Sequence, residues 1–338
     1  MNTFFLAFLI FTASISFSLE GKEKLKSDMV IATTQIKLKE FPYIWNPSLL
    51  KTKEGFLLSF RYCLAPHKPW ISYIGVVMLN EALEVISKPQ LLNSRRRGDK
   101  TPSQAEDARL FVSNDTIYVL YNDNMEVENP STSHRRDMYL AKLSFRKSKF
   151  HMSKPIKLYH PREYNTRRVQ KNWVPFDWRG SMMLGYLINP HEIIHPDFIT
   201  GECSTIAETP YISTWNWGER RGGTPAIEVD GNYLAFFHSM NVTDSEASRG
   251  VHMYHYYMGA YTFSLDPPFY VKAMSHSPIM ADGFYTRSSY DKRVIFPGGF
   301  AVVGSTIYLA YGKDDNEAWI AIIDKKKLLE SLKEVKSR

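Results

Sequence analysis

Five stretches of this chain follow one plan: "WNPSLLKTKEGFLLSFR" (45–61), "EDARLFVSNDTIYVLYN" (106–122), "KNWVPFDWRGSMMLGYLIN" (171–189), "GTPAIEVDGNYLAFFHS" (223–239) and "FPGGFAVVGSTIYLAYG" (296–312). Each opens on a polar or Gly/Pro head, runs through a short apolar strand and a tight turn with Gly, Asn or Asp, and ends in a longer strand of Leu, Tyr and Phe. Successive units start about fifty to about seventy-five residues apart, which leaves room for two more strands in each. Helical periodicity is nearly absent before Lys325, whereas "RDMYLAKLSF" (136–145) and "HMYHYYMGAYTFSL" (252–265) read as strands. The expectation is all-β: a five-bladed β-propeller over residues 19–324, then a short basic C-terminal helix and tail over 325–338.

In a propeller the leading strand of each blade lines the central channel, so the five heads converge at one face. Those heads are Asn46, Asp107 with Arg109, Lys171 with Asn172, Thr224, and the pair Gly298 and Gly299. Glu106, Asp107 and Arg109 therefore stand at the mouth of the channel. A ligand role and a buried ionic tie between blades remain equally open for Glu106 and Arg109. For Asp107, flanked by both, the functional reading leads.

Composition narrows the class. Of 338 residues 44% are hydrophobic and 23% charged, enough to bury a large core, and the 14% aromatic content suits strands and flat ligand faces. The net charge of +7 resides largely in "SRRRGDK" (94–100) and the C-terminal tail, which read as solvated segments rather than a nucleic-acid surface. The first eighteen residues form a short apolar run, too short to span a bilayer, ending in small residues. They read as a signal peptide cut after Ser18, placing the mature chain outside the cytoplasm, secreted or periplasmic or lumenal, with no stable membrane insertion. Cys63 and Cys203 allow one disulfide without requiring it. Asn114 and Asn241 head glycosylation sequons.

Glu106-Asp107-Ala108-Arg109, Lys171-Asn172-Trp173, Phe237-His238, "VIFPGG" (294–299) and "YGKDD" (311–315) resemble, in order and spacing, glycoside hydrolase family 130. The resemblance covers nearly the whole mature chain, with Ala108 standing where the family has Pro, as in an outlying branch. It implies a five-bladed propeller that acts on β-mannosides or related glycosides, by phosphorolysis or hydrolysis. By position, Asp107 matches the catalytic acid, which protonates the glycosidic oxygen through a sugar hydroxyl. Lys171 and His238 match the phosphate-binding set, with Arg135 or Arg136 supplying its arginine, and Asp315 matches an acidic residue beside the sugar. The partners implied are an oligosaccharide or glycoside and inorganic phosphate; no cofactor and no metal are implied.

The chemistry has its own logic. An inverting hydrolase needs one carboxyl group to protonate the leaving oxygen and a second carboxylate to activate water, whereas phosphorolysis needs cations to hold an anionic nucleophile. The channel heads offer one clear acid, Asp107, and several possible cations: Lys171, His238, Arg61, Arg135 and Arg136. Glu192 and Glu219 are the candidates for a hydrolytic base. Asn46, Arg61, Glu106, Arg109, Asn172, Trp217, Thr224 and Asp315 complete the expected sugar-facing set, with Trp215 and Trp217 as a stacking platform or as packing between blades. His191-Glu192-Ile193-Ile194-His195 spells the zinc-protease pattern, but Pro190, Pro196 and the β-branched centre make it a strand. A propeller glycosyltransferase and a non-catalytic sugar binder are the alternative classes.

Overall fold

The computed structural model describes residues 28–63, 71–94, 103–124, 136–163, 169–212, 215–243, 252–285 and 292–335. Within these the chain is all-β with one short α-helix, Lys325–Ser331. The expected signal peptide, its cleavage point and Arg135 lie outside the described residues.

The strands pair antiparallel in five successive groups. The first is Ile44–Thr52, Gly55–Cys63, Ser72–Leu79 and Gln90–Leu91. The second runs Glu106–Ser113, Thr116–Asp123, Asp137–Arg146 and Ile156–Leu158, with Lys149–Met152 also on its third strand. The third is Val174–Trp178, Ser181–Leu187, His191–Pro196 and Cys203–Thr209. In the fourth, the leading strand is split into Glu219–Gly222 and Ile227–Val229, both on Asn232–Thr243, followed by Met253–Phe263 and Val271–Met274. The fifth takes Lys292–Val303, Thr306–Lys313 and Glu317–Asp324, and its outer strand is the N-terminal Val30–Ile36. A short parallel pairing of Met253–Phe263 with Lys292–Val303 links the last two groups.

Turn chemistry explains the hairpins. Asn114-Asp115, Arg179-Gly180 and Asp230-Gly231 all have positive φ at both central residues, the type I′ turn whose twist matches the flanking strands. The expected strand starts near Asn46, Asp107 and Asn172 agree with the observed ones to within a few residues, but two others need correction. Thr224 occupies the break in the fourth leading strand, and the fifth begins at Lys292, upstream of Gly298. That strand is extended because its first residues find partners on both sides, Tyr254 to Tyr256 on one and Lys313 and Gly312 on the other.

Side-chain alternation assigns the two faces of each sheet. Leu57 and Val76 pack with Leu110 and Val119 of the second group, while their neighbours Leu58 and Val77 pack with Ala310 and Ile320 of the fifth. Phe111 and Leu120 in turn meet Trp173 and Leu184 of the third group, and Val174 and Phe176 join Phe236 and Phe300 of the fourth and fifth. Apolar layers thus lie between neighbouring groups, and the strands are hydrophobic on both faces.

The leading strands meet one another where they kink. Register shifts fall between Trp45 and Ser48, Glu106 and Arg109, and Pro297 and Gly299. Asn46 (φ 46), Asp107 (φ 54) and Asn172 (φ 64) adopt left-handed backbone, which Asn and Asp tolerate better than other side chains do. Gly298 lets the first and fifth leading strands touch, since a Cβ there would stand 2.2 Å from the Pro47 carbonyl oxygen.

The helix starts where expected: Asp324 caps it by accepting a hydrogen bond from the Lys327 N–H at 3.0 Å, and Leu328 is buried. The tail is not free, because Lys333–Glu334 pairs with Val271–Met274. Cys63 and Cys203 are both buried and form no disulfide, the outcome the sequence had left open. His191–Pro196 is a strand, and the His191 Nδ1–H donates to the Phe269 carbonyl at 2.9 Å. Among the described residues no group of three metal-binding side chains occurs, and no helix is long and apolar enough to cross a membrane.

Candidate active site

The kinks carry the site. Asp107 is 7% exposed, and its Oδ1 accepts a hydrogen bond from Asn46 Nδ2 at 2.8 Å. Two left-handed residues on separate leading strands thereby fix one carboxyl group.

Beside it Glu106 gathers three cations. Its Oε1 lies 2.9 Å from Arg61 Nη2 and 2.8 Å from Arg136 Nη2, and its Oε2 lies 2.8 Å from Lys171 Nζ. Each cation has a further setting: Arg61 stacks 5.0 Å over the Trp45 ring, Arg136 donates to the Gln104 carbonyl at 2.6 Å, and Lys171 lines an open cleft. Burial pushes the Glu106 carboxyl up, but Arg61, Lys171 and Arg136 outweigh it and hold the group down at about 2. Burial also works against the Arg61 charge, and Glu106, Asp107 and Asp315 more than offset it. That balance places Asp315, another left-handed residue, in the same electrostatic neighbourhood.

Arg109 departs from its sugar-facing expectation. It is fully buried, and its guanidinium donates to the carbonyls of Gly223, Asp107 and Gly222 and to Asn172 Oδ1. Burial lowers it to about 10 despite Asp107. It ties three leading segments together beneath the site, the structural alternative recognised in the sequence. Thr224 is buried as well, its hydroxyl accepting from the Phe236 N–H at 3.0 Å.

His238 is corrected as a cation. Burial, then the charges of Arg109 and Arg221, drive its pKa well below the ordinary value, so the ring is neutral at pH 7. Its Nδ1 is buried without a hydrogen-bond partner, and the ring packs 4.7 Å from Phe296. The ring also hydrogen-bonds the Gly222 backbone, so it brings an anion no charge.

The cleft beside Lys171, of about 360 Å³, is lined by Gln170, Asn172, Tyr186, Glu219, Arg220 and Arg221 among others. Of the two candidate bases, Glu219 is exposed there and pairs with Arg221 at 2.8 Å. Glu192 belongs to the third strand of its group and is buried in a separate cluster, where it binds Thr205 Oγ1 at 2.7 Å, His160 Nε2 at 3.3 Å, and Arg162. Trp217 is 38% exposed and meets Tyr257 edge-on, whereas Trp215 is buried against Phe237. Tyr186, Arg220 and Arg221 escaped the sequence reading, although the Arg pair adjoins the noted Trp215-Trp217 cluster.

The profile of glycoside hydrolase family 130, described as beta-1,4-mannooligosaccharide phosphorylase, matches residues 83–334. No curated protein matches the chain. Among solved structures the fold is shared with a beta-1,2-mannobiose phosphorylase from Listeria innocua in complex with beta-1,2-mannobiose (TM-score 0.60, 16% identity, covering 88% of this chain and 92% of that one). It is shared too with a mannose phosphorylase from Leishmania mexicana in complex with phosphate ion (TM-score 0.55, 11% identity, 91% and 92% covered). A GDP-Man-dependent mannosyltransferase from the same organism gives a TM-score of 0.54 at 10% identity, covering 88% and 91%. With the family profile spanning most of its length, the chain belongs to glycoside hydrolase family 130 and is an enzyme of the glycosidase and glycoside phosphorylase class.

Proposed function

We propose that the chain is a five-bladed propeller that cleaves a β-mannoside-like bond with inversion, using inorganic phosphate as the nucleophile. Five strand groups with apolar layers between neighbours support the architecture. Asp107 gives its proton to the departing glycosidic oxygen, and a phosphate oxygen attacks the anomeric carbon from the opposite face, yielding α-mannose 1-phosphate.

One observation carries this reading: Arg61, Arg136 and Lys171, from three different strand groups or their connections, converge on Glu106, the neighbour of Asp107 in the chain. A water nucleophile needs a base, whereas a dianion needs cations, and cations are what the site concentrates. Residues 1–18 direct export, 19–324 form the catalytic body, and the mature enzyme acts outside the cytoplasm.

Hydrolysis is the second reading, favoured by Glu219, which lines the cleft next to Lys171. The two separate on incubation with β-mannosides with and without phosphate. Phosphorolysis gives mannose 1-phosphate only with phosphate present, and Lys171→Ala raises the KM for phosphate at least about tenfold with little change for the sugar. Free mannose formed without phosphate, with Lys171→Ala silent and Glu219→Gln inactive, establishes hydrolysis instead.

A further inference from the structure

Phosphorolysis as written leaves Glu106 without a task, yet this carboxylate is the hub of the cation cluster. It is 5% exposed and occupies, with two oxygens, the groups an incoming dianion would need. Its three partners are not equally committed. The side chains of Arg61 and Arg136 are 11% and 12% exposed and have second anchors, the Trp45 ring and the Gln104 carbonyl. Lys171 is 31% exposed, carries its charge on a flexible stem, and faces the cleft.

Charge counting gives the arrangement a purpose. Among these four side chains three cations outnumber one carboxylate, a surplus that Asp107 and Asp315, whose charges also reach Arg61, reduce when ionised and that an anion would complement. Without Glu106 the empty site would hold three mutually repelling cations in a partly desolvated pocket.

We propose that Glu106 is an internal counter-anion, a positioning residue that keeps the cations assembled while the phosphate site is empty and yields Lys171 to phosphate as it binds. The inference rests on the phosphorolytic reading of this site. Phosphate affinity is then set by competition, because binding must displace the Lys171 contact and bring a dianion close to a carboxylate that stays ionised. No proton uptake relieves that repulsion near neutral pH, since the cations keep Glu106 ionised.

The test uses inorganic phosphate alone, titrated calorimetrically into the wild-type chain and into Glu106→Gln, together with a phosphate-bound structure of the wild type. The expected results are a dissociation constant at least about tenfold lower for Glu106→Gln, as removal of a nearby like charge dictates, and a Lys171 Nζ that has left Glu106 for the phosphate. Steady-state kinetics should show the gain in the KM for phosphate rather than in kcat. Should Glu106→Gln fail to fold, the wild-type structure decides alone: Lys171 still in contact with Glu106 beside bound phosphate overturns the inference and leaves phosphorolysis standing. A folded Glu106→Gln that binds phosphate no more tightly does the same. A wild-type chain that neither binds phosphate nor forms mannose 1-phosphate removes the phosphorolytic reading, and this inference with it.

Discussion

At Asp107 the backbone φ of 54 restricts which replacements are informative. An alanine there would strain the kink as well as remove the carboxyl group, so a loss of activity would have two causes. Asparagine tolerates the left-handed region and keeps a side-chain oxygen facing Asn46 Nδ2, so Asp107→Asn isolates the proton. It should lower kcat at least about a hundredfold, the usual range for loss of a general acid, while the KM for the sugar changes little. Unchanged turnover would leave the Asn46 to Asp107 bond as a tie between strands and nothing more. The same backbone logic shows why residue type alone left two readings open for Arg109. A guanidinium next to a carboxyl group resembles a substrate ligand in the sequence, but the Gly222 and Gly223 carbonyls of one distant segment claim it, with the nearby Asp107 carbonyl, once the leading strands are brought together.

Among the elements, the leading strands were legible because their heads combine turn-tolerant residues with apolar runs, and the hairpins because their turns spell the type I′ pattern. The break at Thr224 and the early start at Lys292 were not legible, since both depend on partners far away in sequence. The cation cluster was half legible. Lys171 and Arg136 stood out by type and position, but Glu106 as their common anchor follows only from strands approaching in space. Close approach also makes a stability prediction. Gly298→Ala pushes a methyl group onto the Pro47 carbonyl, a rigid backbone atom, so the two leading strands must part. The cost should be about 2 kcal/mol or more, as for overpacking elsewhere, read from the urea midpoint of unfolding. Because Asn46 adjoins Pro47, activity should fall along with stability. A midpoint equal to the wild-type value would mean that these strands are not in contact.

Over the whole molecule, buried ionisable groups set how the fold responds to acid. His191 lies in the third strand group, away from the cation cluster, and burial lowers it to about 4 against the support of its bond to the Phe269 carbonyl. The unfolded chain therefore binds a proton at this position near pH 6.5 that the folded chain refuses until about pH 4. With more protons bound in the unfolded state, stability is fully present above about pH 6.5 and is lost as pH falls toward 4, by about 3 kcal/mol from this residue. His238 works in the same direction from the site itself. Glu106 adds a later loss, since a carboxyl group depressed to about 2 contributes stability that disappears between its unfolded value near 4.5 and pH 2. Denaturant midpoints measured between pH 7.5 and 4 should decline for the wild type. His191→Gln keeps a donor for Phe269 without a titrating ring, so its decline should be shallower while its activity stays intact. Equal slopes for the two proteins would show that His191 accepts its proton in the folded state as readily as in the unfolded one.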